Sequence, residues 1–238
     1  MFNHINGNLY HYAANNPVRY VDPDGLSTQI DEDTGIIISG NNDNDCGVYA
    51  VPTVNGERVA GPLNKVGYTT RPDYAVNPPT PASVQNEDLT KEKTSGYLFL
   101  LYRNNSGIDK TLRQLGLLEK VKYAVNNNKK LSLDHSGTVL SKFIRQILKG
   151  YGTTFENSYD FTSVKFAIGK AIVRGSLDGI IFKNKNGSMH IEGVITYGFE
   201  DIFTDPYDLI NLIPGEWNPD GKPYKITDTW RQNINGDF

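Results

Sequence analysis

The ten residues from Phe199 to Asp208 hold the densest group of side chains able to do chemistry: Glu200, Asp201, Asp205, Tyr207 and Asp208, with a Pro at 206. Clustered carboxylates on a loop offer oxygen ligands to a hard divalent cation. A cation held in this way can activate water for phosphoester hydrolysis. Two carboxylates in unlike surroundings can instead divide the acid and base roles between them. The plain structural reading of the same residues is a solvated Asx turn between strands. Residues 199–238 carry eight acids against three bases, so the whole C-terminal end is acidic.

Other candidates are thinner. His190 and Glu192 make an H-x-E pair, but no P-C-x-x-C follows, which excludes zinc deaminase chemistry. Both lie on the face opposite Ile191, where an exposed strand histidine is the simplest reading. Asp134-His135-Ser136 falls at an expected helix start, and adjacency does not make a Ser/His/Asp triad. Cys46 is the single cysteine, which excludes an internal disulfide and a Cys-rich zinc site. It has no basic neighbour in sequence to activate it. No G-x-x-x-x-G-K phosphate loop occurs.

The elements that must position these residues read as α+β. From residue 161 the period is two: Val164, Phe166 and Ile168 alternate, Ala171-Ile172-Val173 and Ile180-Ile181-Phe182 follow, and Asn186-Gly187 turns the chain into Met189-His190-Ile191. Ile195, Tyr197 and Phe199 alternate again, and a last strand runs from Tyr224 to Trp230. Gly169, Gly175, Gly179 and Gly193 are expected to mark bulges of a strongly curved antiparallel meander. Ahead of it, two helices are expected. Asp109 would cap the first, with Leu112, Leu115, Leu118, Val121 and Val125 on one face. Asp134 would cap the second, with Val139, Leu140, Phe143, Ile144, Ile147 and Leu148 on one face and Gly150 at its end. This helical hairpin would pack on one face of the meander. It is basic, with nine Lys and Arg against Asp109, Glu119 and Asp134 over 106–149, which fits a solvated face or attraction to an anionic surface.

The N-terminal third is organised differently. Residues 27–71 read as a small β connector, with Gly35-Ile36-Ile37-Ile38-Ser39 as a strand and Asn55-Gly56 as a hairpin signal. Residues 72–84 carry four prolines and no apolar periodicity, as in a semi-rigid linker. A C-terminal module is then expected over 85–238.

Across 238 residues the hydrophobic share is 38% and mean hydropathy −0.46, with 23 Gly and 14 Tyr, a composition that favours turns and β-structure. The net charge of −3 gives no reason to expect a nucleic-acid partner. The longest apolar run, Tyr97 to Tyr102, is far short of a membrane span. No basic start followed by an apolar run occurs in residues 1–30, so a protein made in the cytoplasm and delivered by a carrier system is expected.

Two stretches carry family resemblances. Asn8-Leu-Tyr-His-Tyr-Ala-Ala-Asn-Asn16 followed by Pro17-Val18-Arg19-Tyr20-Val21-Asp22-Pro23-Asp24-Gly25-Leu26 reads P-x-x-x-x-D-P-x-G-L. It resembles the closing segment of the RHS-repeat-associated core in YD-repeat polymorphic toxins. The resemblance covers residues 1–26. It implies a β-cage ahead of a variable toxin module, cleavage after Leu26 aided by Asp22 and Asp24, an immunity protein as partner and a competing bacterium as target. Asp22-Pro23-Asp24-Gly25 is also ordinary turn chemistry. With Met1 so near the motif, an orphan cassette that could be joined to an RHS cage gene is expected.

The second resemblance lies in the acidic cluster. Asp205-Pro206-Tyr207-Asp208 has the D-x-Y-D spacing of colicin-M-like bacteriocins, after a glycine-rich meander. That family consists of Mg2+-dependent phosphodiesterases cutting the lipid-linked peptidoglycan precursor, and the matching positions are Asp205, Tyr207 and Asp208. The family's later His-Arg pair is replaced here by Pro214-Gly215. The alternative is a non-enzymatic module for binding, adhesion or a membrane surface, or a silent cassette.

Overall fold

The computed structural model describes residues 28–40, 44–83, 90–104, 107–128, 130–131, 154–165, 167–204 and 221–237. The Asp22–Asp24–Leu26 junction and the second expected helix lie outside them. The described chain is mixed α+β, with one large and mostly antiparallel sheet.

The centre of the sheet is three long strands: β9 (Lys170–Lys183), β10 (Met189–Phe203) and β11 (Tyr224–Asp237), counted in chain order after the shorter elements named below. β9 and β10 join through the expected Asn186-Gly187 turn, where Gly187 has φ +92°, a conformation open to glycine at no steric cost. Their pairing runs unbroken from Met189↔Lys183 to Glu200↔Ile172. The expected glycine bulges are absent from it. Gly193 pairs with Gly179 instead, and a Cβ on either would press within 2.5 Å of the partner backbone, so this pair allows close approach. Register shifts do occur elsewhere in the sheet, between Gln29 and Ile30 and between Val48 and Tyr49.

Period-two burial fits the sequence. On β10, Ile191, Ile195, Tyr197, Phe199 and Phe203 are buried on the face toward the helices, as are Tyr224, Ile226, Trp230 and Ile234 of β11. Three short helices cover that face: α1 (Ser95–Arg103), α2 (Leu112–Leu115) and α3 (Leu118–Asn126). The apolar face Leu112, Leu115, Leu118, Val121 and Val125 is buried as expected. The first helix nevertheless divides in two. Thr111 and Gln114 form a capping box on α2, and Gly116 ends it in the left-handed region at φ +66°. Asp109 caps nothing: its carboxylate accepts from the Lys225 backbone N–H at 2.7 Å. The apolar run at 97–102 is helix α1, capped by Thr94. Residues 161–165 and 167–169 form turns, not a strand, and the strand lies earlier as β8 (Thr154–Asp160).

The N-terminal strands join the same sheet. β1 (Thr28–Asp31), β2 (Ile37–Gly40), β3 (Gly47–Val51), β6 (Asn64–Thr69) and β7 (Lys110–Thr111) complete the order β2-β1-β3-β6-β9-β10-β11-β7, with β8 also on β9. β4 (Thr53–Val54) and β5 (Glu57–Arg58) form a separate hairpin whose Asn55 and Gly56 both have positive φ, as a type I′ turn requires. β8 occupies β9 over 170–176 and β6 occupies it over 180–182. In the gap between them, Arg71 Nε contacts Asp178 Oδ1 at 3.0 Å and Thr70 Oγ1 accepts from Gly179 N–H at 3.0 Å. A second apolar cluster of Ile30, Val48, Ala50, Tyr74, Ile180 and Phe182 backs this seam. The proline-rich stretch touches the sheet too, Ala82 N–H donating to Asn233 Oδ1 at 2.7 Å.

Gly67 is the pivot of the seam, since a Cβ there would lie 2.0 Å from the Ile181 carbonyl oxygen. Gly67→Val should therefore part β6 from β9 and destabilise the protein by about 3 kcal/mol. Urea unfolding checks this. An unchanged midpoint would show that the seam contributes nothing.

Candidate functional site

Asp201 occupies a position that the alternation of β10 reserves for apolar side chains. It lies in the buried row between Phe199 and Phe203, opposite Ile226, and is only 7% exposed. Its Oδ2 has no hydrogen-bond partner among the described residues. Burial among apolar groups disfavours the charged form, raising the pKa to about 7 against a small opposing pull from the Ile202 backbone N–H. A carboxyl titrating there can donate a proton below neutrality and accept one above it.

The wall around Asp201 is aromatic. Phe203 stacks on Tyr224 with centroids 5.2 Å apart, and Tyr102 of α1 tilts against Phe203 at 6.0 Å. The Tyr224 hydroxyl donates to the Leu98 carbonyl at 2.9 Å. Burial, then the Asp201 charge and Tyr97, push the Tyr224 phenol far above its ordinary range, so it stays protonated. Asp228 shares the buried face, with a side chain 2% exposed, yet it is fully engaged. It pairs with the Arg113 guanidinium and accepts from the backbone N–H groups of Arg113 at 3.0 Å and Thr229 at 2.8 Å. Of the two buried aspartates on this face, Asp201 alone has an oxygen left without a partner among the described residues.

Asp205, Tyr207 and Asp208 lie outside the described residues, but the two ends of their segment do not. Phe203 pairs with Tyr224, and Gly221 packs so closely on Tyr102 that a Cβ would meet the ring at 2.0 Å. Thr204 and Gly221, the described residues nearest that segment, follow β10 and precede β11. Glu200 faces the other side, where Arg174 Nη1 contacts it at 2.6 Å. Two basic residues of α3 are engaged within the fold: Lys120 contacts Glu92 at 2.6 Å and Lys122 contacts Glu119 at 2.9 Å. Among the described residues no group of three or more His, Cys, Asp or Glu side chains gathers as a metal centre, and no helix is long and apolar enough to cross a membrane.

One polar pairing has no signal in the local sequence. His190 Nδ1 bonds Asp237 Oδ1 at 2.6 Å across β10 and β11, and this contact, with Asn184, holds the Asp237 carboxyl below its usual range. The pairing joins residues 47 apart and depends on strand register, which local spacing does not reveal.

The raised pKa of Asp201 sets a sign for stability. The folded state holds the proton up to about pH 7, while the unfolded carboxyl releases it near pH 4. Between those values the unfolded state binds fewer protons, so stability falls as pH rises from about 4 to 7 and levels off above. Asp201→Asn should remove that slope and raise the melting temperature at pH 8 by about 5 °C. Thermal melts of both proteins from pH 4 to 8 check it. Parallel curves would show that Asp201 ionises normally.

No protein-family profile matches the chain, and no curated protein matches it. Among solved structures, a crystal structure of pectocin M2 aligns at 20% identity over 63% of this chain and 56% of that one, with a TM-score of 0.31. A second pectocin M2 structure aligns at 18% identity over 63% and 51%, also at 0.31. The chain thus spans little more than half the length of these structures. A likeness at this level transfers neither a fold nor a site.

Proposed function

We propose that the chain carries a toxin-type hydrolase with its reaction centre at the end of β10, acting on an envelope or phosphodiester substrate. The reading rests on one observation: Asp201 is buried with an Oδ2 that has no hydrogen-bond partner among the described residues, and it stands four residues ahead of Asp205-Pro206-Tyr207-Asp208 in the sequence. Asp201 is the proton carrier, transferring a proton to or from the reacting oxygen at its Oδ2. Its apolar surroundings keep that proton exchangeable near neutrality. Tyr207 is the remaining polar group beside the reaction.

The donor set would fit a hard cation, because every candidate ligand is a carboxylate oxygen. Asp205 and Asp208 would hold Mg2+, which when bound supplies Lewis-acid polarisation of a phosphoryl oxygen. Residues 1–26 then belong to an RHS-type core, with an immunity protein as the specific partner in competition between bacteria. A binding module led by the basic helices has less support, since Arg113, Lys120 and Lys122 are engaged with Asp228, Glu92 and Glu119.

Expression of the full chain in bacteria, in the cytoplasm and separately in the periplasm, tests the hydrolase. Asp205→Ala and Asp208→Ala should abolish killing, and Asp201→Asn should reduce it about 100-fold, each with an unchanged circular dichroism spectrum. Killing confined to the periplasm with lysis identifies an envelope substrate. Undiminished killing by all three variants would reject the site.

The junction is tested separately. In the 238-residue chain expressed by itself, Asp22 and Asp24 should not drive cleavage, so intact mass spectrometry after days at neutral pH should find a single full-length species. A fragment beginning at Ser27 would show that the motif acts alone.

A further inference from the structure

The start of β10 carries a second polar group, on the face opposite the helices. His190 and Glu192 are two residues apart on a strand, so their side chains share that face. His190 stands opposite Asp237 on β11, and its Nδ1–H donates to Asp237 Oδ1 at 2.6 Å. Asn184 Nδ2 donates to the same oxygen at 3.1 Å. The imidazole also lies over the Phe182 ring, with centroids 4.8 Å apart. Held from two sides, the ring turns its Nε2 toward Glu192, whose Oε2 is 3.8 Å away. Both side chains line a cleft of about 470 Å³ that Thr34 and Asn184 also border.

We propose that His190 Nε2 and Glu192 bind a divalent transition-metal ion, zinc foremost, with Asp237 as the positioning residue that holds the imidazole in its ligating tautomer. A histidine that ligates through one nitrogen commonly donates its other N–H to a carboxylate, and that partner fixes the ring and raises its basicity. Bonds of ~2.1 Å at a tetrahedral angle place two ligand atoms about 3.4 Å apart. The observed 3.8 Å closes to that distance with a small movement of the exposed Glu192 side chain. An imidazole selects zinc and its neighbours over magnesium, which prefers oxygen alone. No third protein ligand gathers here among the described residues, so water completes the coordination and the affinity is micromolar rather than structural in strength.

This site is separate from Asp201. The two lie on opposite faces of β10, eleven residues or about 36 Å apart at ~3.3 Å per residue. Zinc binding here therefore stands or falls independently of the hydrolase reading.

Isothermal titration of the full chain with zinc chloride at pH 7.5, with magnesium chloride as control, tests the proposal. The expected result is one zinc at micromolar affinity and no magnesium response from this site. Glu192→Gln, at an exposed position that the fold does not need, should weaken zinc binding at least tenfold. Asp237→Asn, which removes no ligand, should weaken it 10- to 100-fold. In 15N spectra of the unmodified protein, zinc should move the His190 Nε2 resonance. Absence of zinc binding, affinity unchanged in Glu192→Gln, or an unmoved His190 resonance in a zinc-bound protein would each overturn the assignment.

Discussion

Strand β10 is hydrogen-bonded on both sides, from Met189 to Glu200 against β9 and from His190 to Phe203 against β11, and the sheet extends outward from this core of three strands. A strand held on both edges cannot slip, because a shift of one residue would carry its buried row into solvent. That row is filled by Ile191, Ile195, Tyr197, Phe199 and Phe203. The rings interlock with their neighbours: Tyr197 stacks on Trp230 at 5.2 Å, and Phe161 meets Phe199 edge-on at 5.3 Å. Such pairs add about 0.5–1.5 kcal/mol each beyond the area they bury. The glycine pair Gly179 and Gly193 lets the two backbones approach where any side chain would hold them apart.

Against so firm a register, Asp201 is the exception that requires a reason. Burial of a carboxyl without a partner is unfavourable unless it keeps its proton. Asp228 shows how the same fold satisfies an acid of the same type, through Arg113 and two backbone N–H groups. Asp201 receives no such support at Oδ2 among the described residues. A locally unfavourable group in an otherwise consistent fold is where function concentrates. The two ends of β10 also differ in chemistry: a buried carboxyl beside stacked aromatic rings at Asp201, an imidazole held by a carboxylate at His190.

Much of this was legible in the sequence. The Asn186-Gly187 and Asn55-Gly56 turns, the period-two runs and the apolar face of Leu112 to Val125 are local signals with direct physical causes. The acidic cluster stood out by density, and Asp201 was among its members. Other features depended on information that is not local. Gly116 breaks the expected helix because residues 112–115 already complete a capped turn. The run at 97–102 was too short and too uniformly apolar to separate helix from strand. Asp201 and Asp228 carry the same side chain in two similar strands, and only the position of Arg113 makes one paired and the other not. The strands before residue 70 reach the common sheet through three residue pairs between β6 and β9, a pairing over more than 100 residues that no local pattern encodes.

The account depends most directly on the ionisation of Asp201. Carbon-13 NMR of the aspartate side-chain carboxyls, titrated from pH 3 to 9 and assigned through Asp201→Asn, reads it without reference to any substrate. The account predicts a carboxyl resonance with its midpoint at about 7, missing from the variant. A midpoint in the ordinary aspartate range near 4 would contradict it, for Asp201 would then be a solvated or paired side chain and not a proton carrier.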